Sequence, residues 1–391
     1  MPRVALIGGG IGGLAAALAL RRRGIEPVVF EQSPQLKEVG AGIQITPNST
    51  RILRALGLEE PVRNRGFEPG FMLTRDMASG EVLFRTQARG VMAERFGAGW
   101  FQIHRADLLD ILTTALDGSD IRLNARCVAV EVTDKKGASV TLSDGRREDF
   151  DVVVGCDGIH SLVRATLHGR EKPRFTGNMC WRALIPVEAL PPGHLEPVMN
   201  YWMGPRGHVV AYYVRGGAMV NLVAVIESKD WVEESWSVEG RREELPAAFP
   251  RAHRDLRILL ESVQRCFKWG LFDRDPLPRW GSGRITLLGD AAHPMLPFLS
   301  QGAAAGIEDA YVLARELARN SDTDAALASY ENERRPRTAR IQLAARAQGE
   351  IFHLHSPWAR LKRSLRLDKF EKPRADLLSK DWIYDYDPTS A

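Results

Sequence analysis

Apolar and polar positions near the start of the chain alternate in blocks. "RVALIGGGIGGLAAALALRRRGIEPVVFEQ" reads as strand, glycine turn, helix, strand. Val4 to Ile7 form a continuous apolar run, the pattern of a parallel strand buried on both faces. Leu14 to Leu20 make an Ala/Leu helix that stops at Gly24, with Arg21, Arg22 and Arg23 at its carbonyl end. A second strand, Pro27 to Phe30, ends at Glu31. The same logic recurs in "DVVVGCDGIHSLVRATL": a buried strand over Val152 to Val154, then Gly155, Asp157 and Gly158, with Ser161 as N-cap of a helix carrying Arg164. A third unit, "GRITLLGDAAHPMLPFLSQGAAAGIEDA", has a strand over Ile285 to Leu288, then Gly289 and Asp290. Next come His293, Pro294 and Pro297, and then an alanine-rich helix opening at Gln301 and Gly302. Ile307, Ala310, Ala314 and Leu317 give that helix its inward stripe.

From Met179 to about Lys268 the period shortens to two, in runs rich in Trp, Tyr and Val. In "GHVVAYYVRGG", His208, Val210, Tyr212 and Val214 fall on one face and Val209, Ala211, Tyr213 and Arg215 on the other. His208 and Tyr212 are co-facial but roughly 13 Å apart along the strand, so they bracket a ring more readily than they share one hydroxyl. "FKWGLFDRDPLPRW" carries a turn signal, Asp275-Pro276, and reads as scaffold returning to the first domain. After about Ala325 the pattern predicts two helical stretches interrupted near Pro336. The tail to Ala391 either packs across a pocket or serves a homodimer interface; its pattern does not choose.

Composition narrows the class. At 391 residues the chain exceeds the usual ceiling for one hydrophobic core, which predicts two domains. A net charge of +4, with no basic cluster interleaved with aromatics, argues against a nucleic-acid partner. No apolar run approaches the roughly 18 residues of a membrane span, and a strand begins within a few residues of the N-terminus. The expectation is therefore no membrane, no signal peptide and a cytoplasmic location. Cys127, Cys156, Cys180 and Cys266 are too widely separated for CxxC chemistry and read as small buried hydrophobes, with no metal expected.

Gly8, Gly10 and Gly13 match G-x-G-x-x-G, which permits a tight turn and lets backbone N–H groups approach a pyrophosphate at a helix N-terminus. Glu31, roughly 20 residues on, stands where a carboxylate takes the ribose hydroxyls of an adenosine half. The fingerprint alone does not separate FAD from NAD. All three motifs, however, sit at carboxyl ends of strands, where open α/β sheets bind ligands.

In this order "GGGIGG", "GCDGIHSLVR" and "LLGDAAHPMLPFLSQGAAAGIEDA" resemble the single-component flavin-dependent aromatic hydroxylases with the p-hydroxybenzoate hydroxylase fold, nearest the salicylate and 3-hydroxybenzoate hydroxylase branch. "GAGIQITPNS", "HRADLL" and "DWIYDYD" look familial too. The resemblance implies a mixed α/β fold: a Rossmann-like FAD-binding domain (1–72, 100–177 and 268–350), an inserted antiparallel-sheet substrate domain (73–99 and 178–267) and a C-terminal tail (351–391). It implies that Asp290 hydrogen-bonds the ribityl chain near the pyrophosphate and that Pro294 and Pro297 shape the loop beside the isoalloxazine. Gly302 and Ala303 then open a helix whose N–H groups face the flavin's pyrimidine edge. Arg105 is implied beside the cofactor, and Asp157 with Arg164 in a motif serving FAD and the visiting nicotinamide nucleotide; a surface position is the alternative for Arg164. His293 reads as a loop-ordering residue.

By the same likeness His208, Tyr212 and Gln301 line the substrate pocket. Such enzymes use NADH or NADPH and O2 to form a flavin C4a-hydroperoxide, which a deprotonated phenol attacks, and an unperturbed histidine has the pKa for that base. Arg182 is a candidate for a substrate carboxylate, with stacking on an aromatic as its rival role. Gln44 occupies a loop position where relatives acting on hydroxypyridine carboxylates can place a histidine, which counts against 6-hydroxynicotinate. The expectation is a salicylate-like phenolic acid, with 3-hydroxybenzoate or 6-hydroxynicotinate as alternatives. A disulfide reductase lacks its cysteine pair here, and a non-catalytic flavin-binding sensor is the remaining rival.

Overall fold

The three strands that end in glycine and acid become neighbours in space. A five-stranded parallel sheet runs in the order Ile285–Leu287, Val152–Gly155, Val4–Ile7, Pro27–Phe30, Asp120–Arg122. The computed structural model describes residues 1–36, 41–133, 137–228, 238–354, 356, 358 and 380–390. The first four strands of the sheet are buried throughout, as their unbroken apolar runs require. Helix Ile11–Arg21 packs on the sheet and against helix Gly302–Arg319. That contact is tight because small residues face each other: the Cα atoms of Gly12 and Gly306 are close enough that a Cβ on Gly306 would sit 3.7 Å from the first.

A second, eight-stranded sheet runs Val238–Gly240, Cys266–Asp273, Arg174–Pro186, Met219–Glu227, Gly207–Val214, Met199–Gly204, Phe71–Asp76, Val82–Gln87. Every neighbouring pair is antiparallel except Met199–Gly204 beside Phe71–Asp76, which run parallel. These two strands come from distant parts of the chain, so no hairpin sets their direction. The predicted alternation along Gly207–Val214 holds. Val209 and Ala211 pack on the helices Glu244–Ala248 and Arg254–Glu261 through Leu245, Leu256 and Leu260. Val210, Tyr212 and Val214 join Phe298, Leu299 and Phe352 on the opposite face, toward the parallel sheet's strand ends.

Pro336 does not break the C-terminal helix. Thr323–Phe352 is one continuous helix with Pro336 inside it. The proline faces solvent, where a carbonyl left without its N–H partner meets water. On either side, Arg334 and Arg337 anchor the helix to buried Glu308. Tertiary ion pairs thus hold what local propensity would interrupt. Of the tail, 359–379 lies outside the described residues. The segment 380–390 docks on the body: Arg51 and Arg337 donate to the carbonyls of Tyr384 and Ile383, and Tyr384 meets the Phe96 ring edge-on at 5.4 Å.

Candidate active site

The two sheets enclose one cavity of about 290 Å³, near the lower end of the roughly 300–1,000 Å³ usual for a single small ligand. One end is backbone. Gly8 takes a φ of +114°, and a Cβ there would lie 2.5 Å from the Cys156 carbonyl oxygen. A Cβ on Gly13 would collide with the Gly8 carbonyl, while Gly10 faces open space. The sharp turn and close helix approach therefore need glycine, and the first turn of Ile11–Arg21 is left bare toward the cavity. Neither this helix nor Gly302–Arg319 has a side-chain cap, and Gly10, Gly302 and Ala303 all line the wall. Their orphan N–H groups suit a ligand with negative charge at two places.

Glu31 is fixed at the end of its strand, where its carboxylate accepts from Gly9 N at 2.7 Å and Ser33 N at 2.8 Å. Asp290 follows Gly289, whose φ is +64°, and its carboxylate opens on the cavity. Close-packed protein on its other sides lifts its pKa above the ordinary aspartate value, with His293 and Arg105 pulling the other way. Arg105 starts the helix Arg105–Ala115 and also lines the wall.

The other end is a side-chain chamber. Tyr201, His208, Val210 and Tyr212 enter from the large sheet, Phe298 and Phe352 from the opposite side, and Gln44 from the strand Gly42–Ile45. Tyr212 is buried, and burial pushes its phenol well up. Gly42 gives the loop room: a Cβ there would lie 2.7 Å from the Tyr212 ring and from Asn221, which accepts from the Gly42 N–H. The Gln44 Oε1 is buried with no hydrogen-bond partner among the described residues. Arg182 lies over the Trp269 ring at 4.0 Å and also reaches the cavity wall, so stacking and lining coexist. Among the described residues no carboxylate stands within 4.0 Å of it, and its Nε is buried and unbonded.

Several expectations are corrected. His208 is not an unperturbed histidine: burial first, and His353 second, hold its pKa well below the ordinary value. Its Nδ1 lies 2.7 Å from His353 Nε2. Gln301 does not line the cavity. Its amide is fully buried, donating to Thr46 Oγ1 at 3.1 Å and accepting from Asn48 Nδ2 at 3.1 Å, because two helix starts meet there and must satisfy each other. Asp157 and Arg164 also stand outside the wall. Asp157 accepts from Ser161 and Val163 N and so organises its own helix start, where Ser161 caps as predicted. Arg164 is buried, not a surface residue, and donates to the carbonyls of Ala291 and Ala292, bracing the turn that carries Asp290. Cys156, read as a buried hydrophobe, lines the cavity.

One cluster carries no local sequence signal. Glu308 and Asp309 lie buried on the helix Gly302–Arg319, matched by Arg334, Arg337, Asn48 and His293. Burial raises both carboxyl pKa values, but the arginines around Glu308, and His293 with Arg334 around Asp309, more than offset it and hold both below the ordinary range. Asp309 also accepts from Gly289 N at 3.0 Å. The cluster thus fixes His293 and the turn beside Asp290, the loop-ordering place expected of His293.

Residues 1–345 match the FAD binding domain family. The chain belongs to this family of FAD-dependent aromatic monooxygenases. It is 42% identical over 393 residues to 3-amino-4-hydroxybenzoate 2-monooxygenase PtnB3 of Streptomyces platensis, covering 99% of this chain and 96% of that one. It is 35% identical to a 3-hydroxybenzoate 6-hydroxylase of Klebsiella oxytoca, covering 90% and 89%. A salicylate hydroxylase solved as its substrate complex matches with a TM-score of 0.83 at 29% identity, covering 99% of this chain and 96% of that one.

The cavity wall fits the family's cofactor. FAD offers a pyrophosphate, polyol hydroxyls and an isoalloxazine edge. The wall offers bare N–H groups at Gly10, a carboxylate at Asp290 and a second bare helix start at Gly302 and Ala303. Pro297 shapes the loop between them. Among the described residues no helix is long and apolar enough to cross a membrane.

Proposed function

We propose that this flavoprotein hydroxylates a phenolic benzoic acid, salicylate-like in class, with NADH or NADPH and O2 as co-substrates. The observation that carries the reading is the continuity of one cavity from the bare helix starts and Asp290 to an aromatic chamber holding His208, Tyr212 and the carboxylate-free Arg182. Three relatives or neighbours named for benzoic acids bearing a ring hydroxyl point to the same substrate class.

FAD, once bound, supplies the electrophilic oxygen after reduction and reaction with O2. The backbone at Gly8, Gly10 and Gly13 would hold its pyrophosphate, Glu31 the ribose, Asp290 and Arg105 the polyol, and Gly302 with Ala303 the ring edge. The chain's own side chains do the rest. Arg182 would pair the substrate carboxylate, its charge already desolvated and so strong toward an anion. His208 would take the phenolic proton, raising electron density at the ring carbons ortho and para to the oxygen. Tyr212 would flank the ring, and Phe298 and Phe352 would exclude water from it.

The test is NADH and NADPH oxidation by the FAD-loaded protein across salicylate, 3-hydroxybenzoate, 3-amino-4-hydroxybenzoate and 6-hydroxynicotinate, with O2 uptake, peroxide and product quantified together. One benzoic acid should accelerate oxidation many-fold with product matching the nucleotide consumed. Peroxide alone with every acid would support the flavin-binding sensor instead.

A further inference from the structure

The chamber is closed by aromatic rings, yet a hydrogen-bonded pair crosses its wall. His208 lines the cavity and is buried. Its ring is enclosed by Phe352 at 4.8 Å and Phe298 at 5.5 Å, so its Nδ1 has one described partner, His353 Nε2 at 2.7 Å. His353 sits at the C-terminus of the long helix, and it lines a different space: an outer groove of about 1180 Å³, open to solvent, beyond Phe298. The two histidines therefore stand on opposite sides of one wall and touch through it. Gly349 makes the crossing possible. A Cβ at that position would lie 2.6 Å from the Phe298 ring, so only glycine lets the helix approach closely enough for His353 to reach His208.

We propose that His208 and His353 form a proton relay joining the substrate chamber to the outer groove, with His353 the positioning and relay residue for His208. The inference rests on the reading of His208 as the base for a phenol. In the step, the substrate O–H bond breaks and an N–H bond forms at His208 Nε2. At the same time the His208 Nδ1–H bond breaks and an N–H bond forms at His353 Nε2. His353 then gives up its Nδ1 proton toward groove water. His208 ends neutral in the other tautomer, and no charge is left on its ring. The same path run backwards returns a proton to the hydroxylated product.

The physical reason for such a relay is the chamber itself. Desolvation disfavours an imidazolium on His208, so a base that had to keep its proton would be a poor one there. Handing the proton on as it arrives avoids that state. The charged groups that line the groove with His353 among the described residues are mixed in sign: Arg346 and Glu350 from its own helix, Arg174, Asp273 and Glu227 from the large sheet, and Arg206. Arg346 and Arg174 are both paired to Asp273, and Arg206 is paired to Glu227. On the chamber side the ionisable groups of the cavity wall are Arg182, Tyr201 and Tyr212, with Arg105, Cys156 and Asp290 also on the wall.

Two measurements test it on the FAD-loaded full chain. The first needs no substrate: nitrogen-15 histidine NMR should show two neutral rings whose tautomers change together, with His208 Nδ1 and His353 Nε2 sharing one proton. Two rings that titrate independently would overturn the relay. The second mixes 3-amino-4-hydroxybenzoate with enzyme in weak buffer containing a pH indicator and follows proton release. His353→Gln keeps a hydrogen-bonding amide but passes no proton on, and it should slow release at least about tenfold with ligand affinity little changed. Added imidazole should restore the rate. If His208→Gln slows release and His353→Gln does not, the relay is wrong while the base reading stands. If neither variant changes the rate, or the wild type releases no proton, the base reading fails and the relay falls with it.

Discussion

The cavity's two ends are built from different materials. The end at Gly10, Gly302 and Ala303 presents mostly backbone, with the Asp290 carboxylate beside it, so its requirements are largely steric and written as glycines at fixed spacings. The other end recognises with side chains from separate strands, and the identity of each matters less than where the sheet aims it. A backbone site fails outright when a methyl group enters it. A side-chain site fails one contact at a time, and the failures differ in kind.

That contrast is sharpest at Gly13, where a Cβ would strike the Gly8 carbonyl. Gly13→Ala should abolish FAD retention, read as flavin absorbance in the purified protein. Retained flavin would mean the turn yields to a methyl group. At the chamber end, His208→Gln should instead keep FAD while kcat falls about 10²–10⁴-fold. Because burial holds the His208 pKa well below 6.5, wild-type kcat should show no acid limb near that value. The sign on stability follows from the same shift. The unfolded chain takes up the proton first, so the His208 contribution makes the fold less stable as pH falls below about 6.5.

Between the two ends stands the buried ionic cluster. Arg334→Met leaves Glu308 and Asp309 short of a cation and should cost about 3–5 kcal/mol at pH 7, measured by urea unfolding. Both carboxyls have folded pKa values below ordinary ones, so the stability they contribute is present above about pH 4–5 and lost as pH falls through the folded values. The gap between wild type and variant should therefore narrow in acid, and a gap independent of pH would separate the cluster from these carboxylates.

Arg182→Met should raise KM for a benzoic acid by roughly 10–100-fold, the scale of one charge-assisted hydrogen bond of about 1.5–3 kcal/mol, with kcat changed less. A fall in kcat with KM unchanged would move Arg182 from binding to chemistry. The smallest effect is expected at Pro336, exposed within a continuous helix. Pro336→Ala should stabilise the chain by about 1–3 kcal/mol and leave flavin and turnover alone. Destabilisation would mean the proline sets a bend the fold uses.

The legible part of the molecule is local in the chain. The strands at Val4, Pro27, Val152 and Ile285, the glycine turn, the Ser161 cap and the face alternation along Gly207–Val214 all follow from contacts within a few residues. Long apolar runs bury, β-carbons exclude and hydroxyls cap wherever they occur. Strand period puts His208 and Tyr212 on one face, while the lining positions of Arg105, Asp290, Pro297, Gly302 and Gln44 follow from the resemblance of their motifs to a known family.

What tertiary structure alone decided is how polar groups were spent. Gln301 and Arg164 belong to the right motifs, but each turns its side chain into the protein, because a neighbouring element brought an unsatisfied donor or acceptor within reach, while Asp157 is taken up by its own helix start. The Pro336 helix runs on because ion pairs 25 and 29 residues away in sequence hold it. His353 meets His208 across 145 residues, and no spacing rule connects them. Sequence determines a residue's conformation and face through forces that act over one or two turns of chain. Its hydrogen-bond partner, and with it its pKa, is set by whichever buried group the completed fold leaves without one.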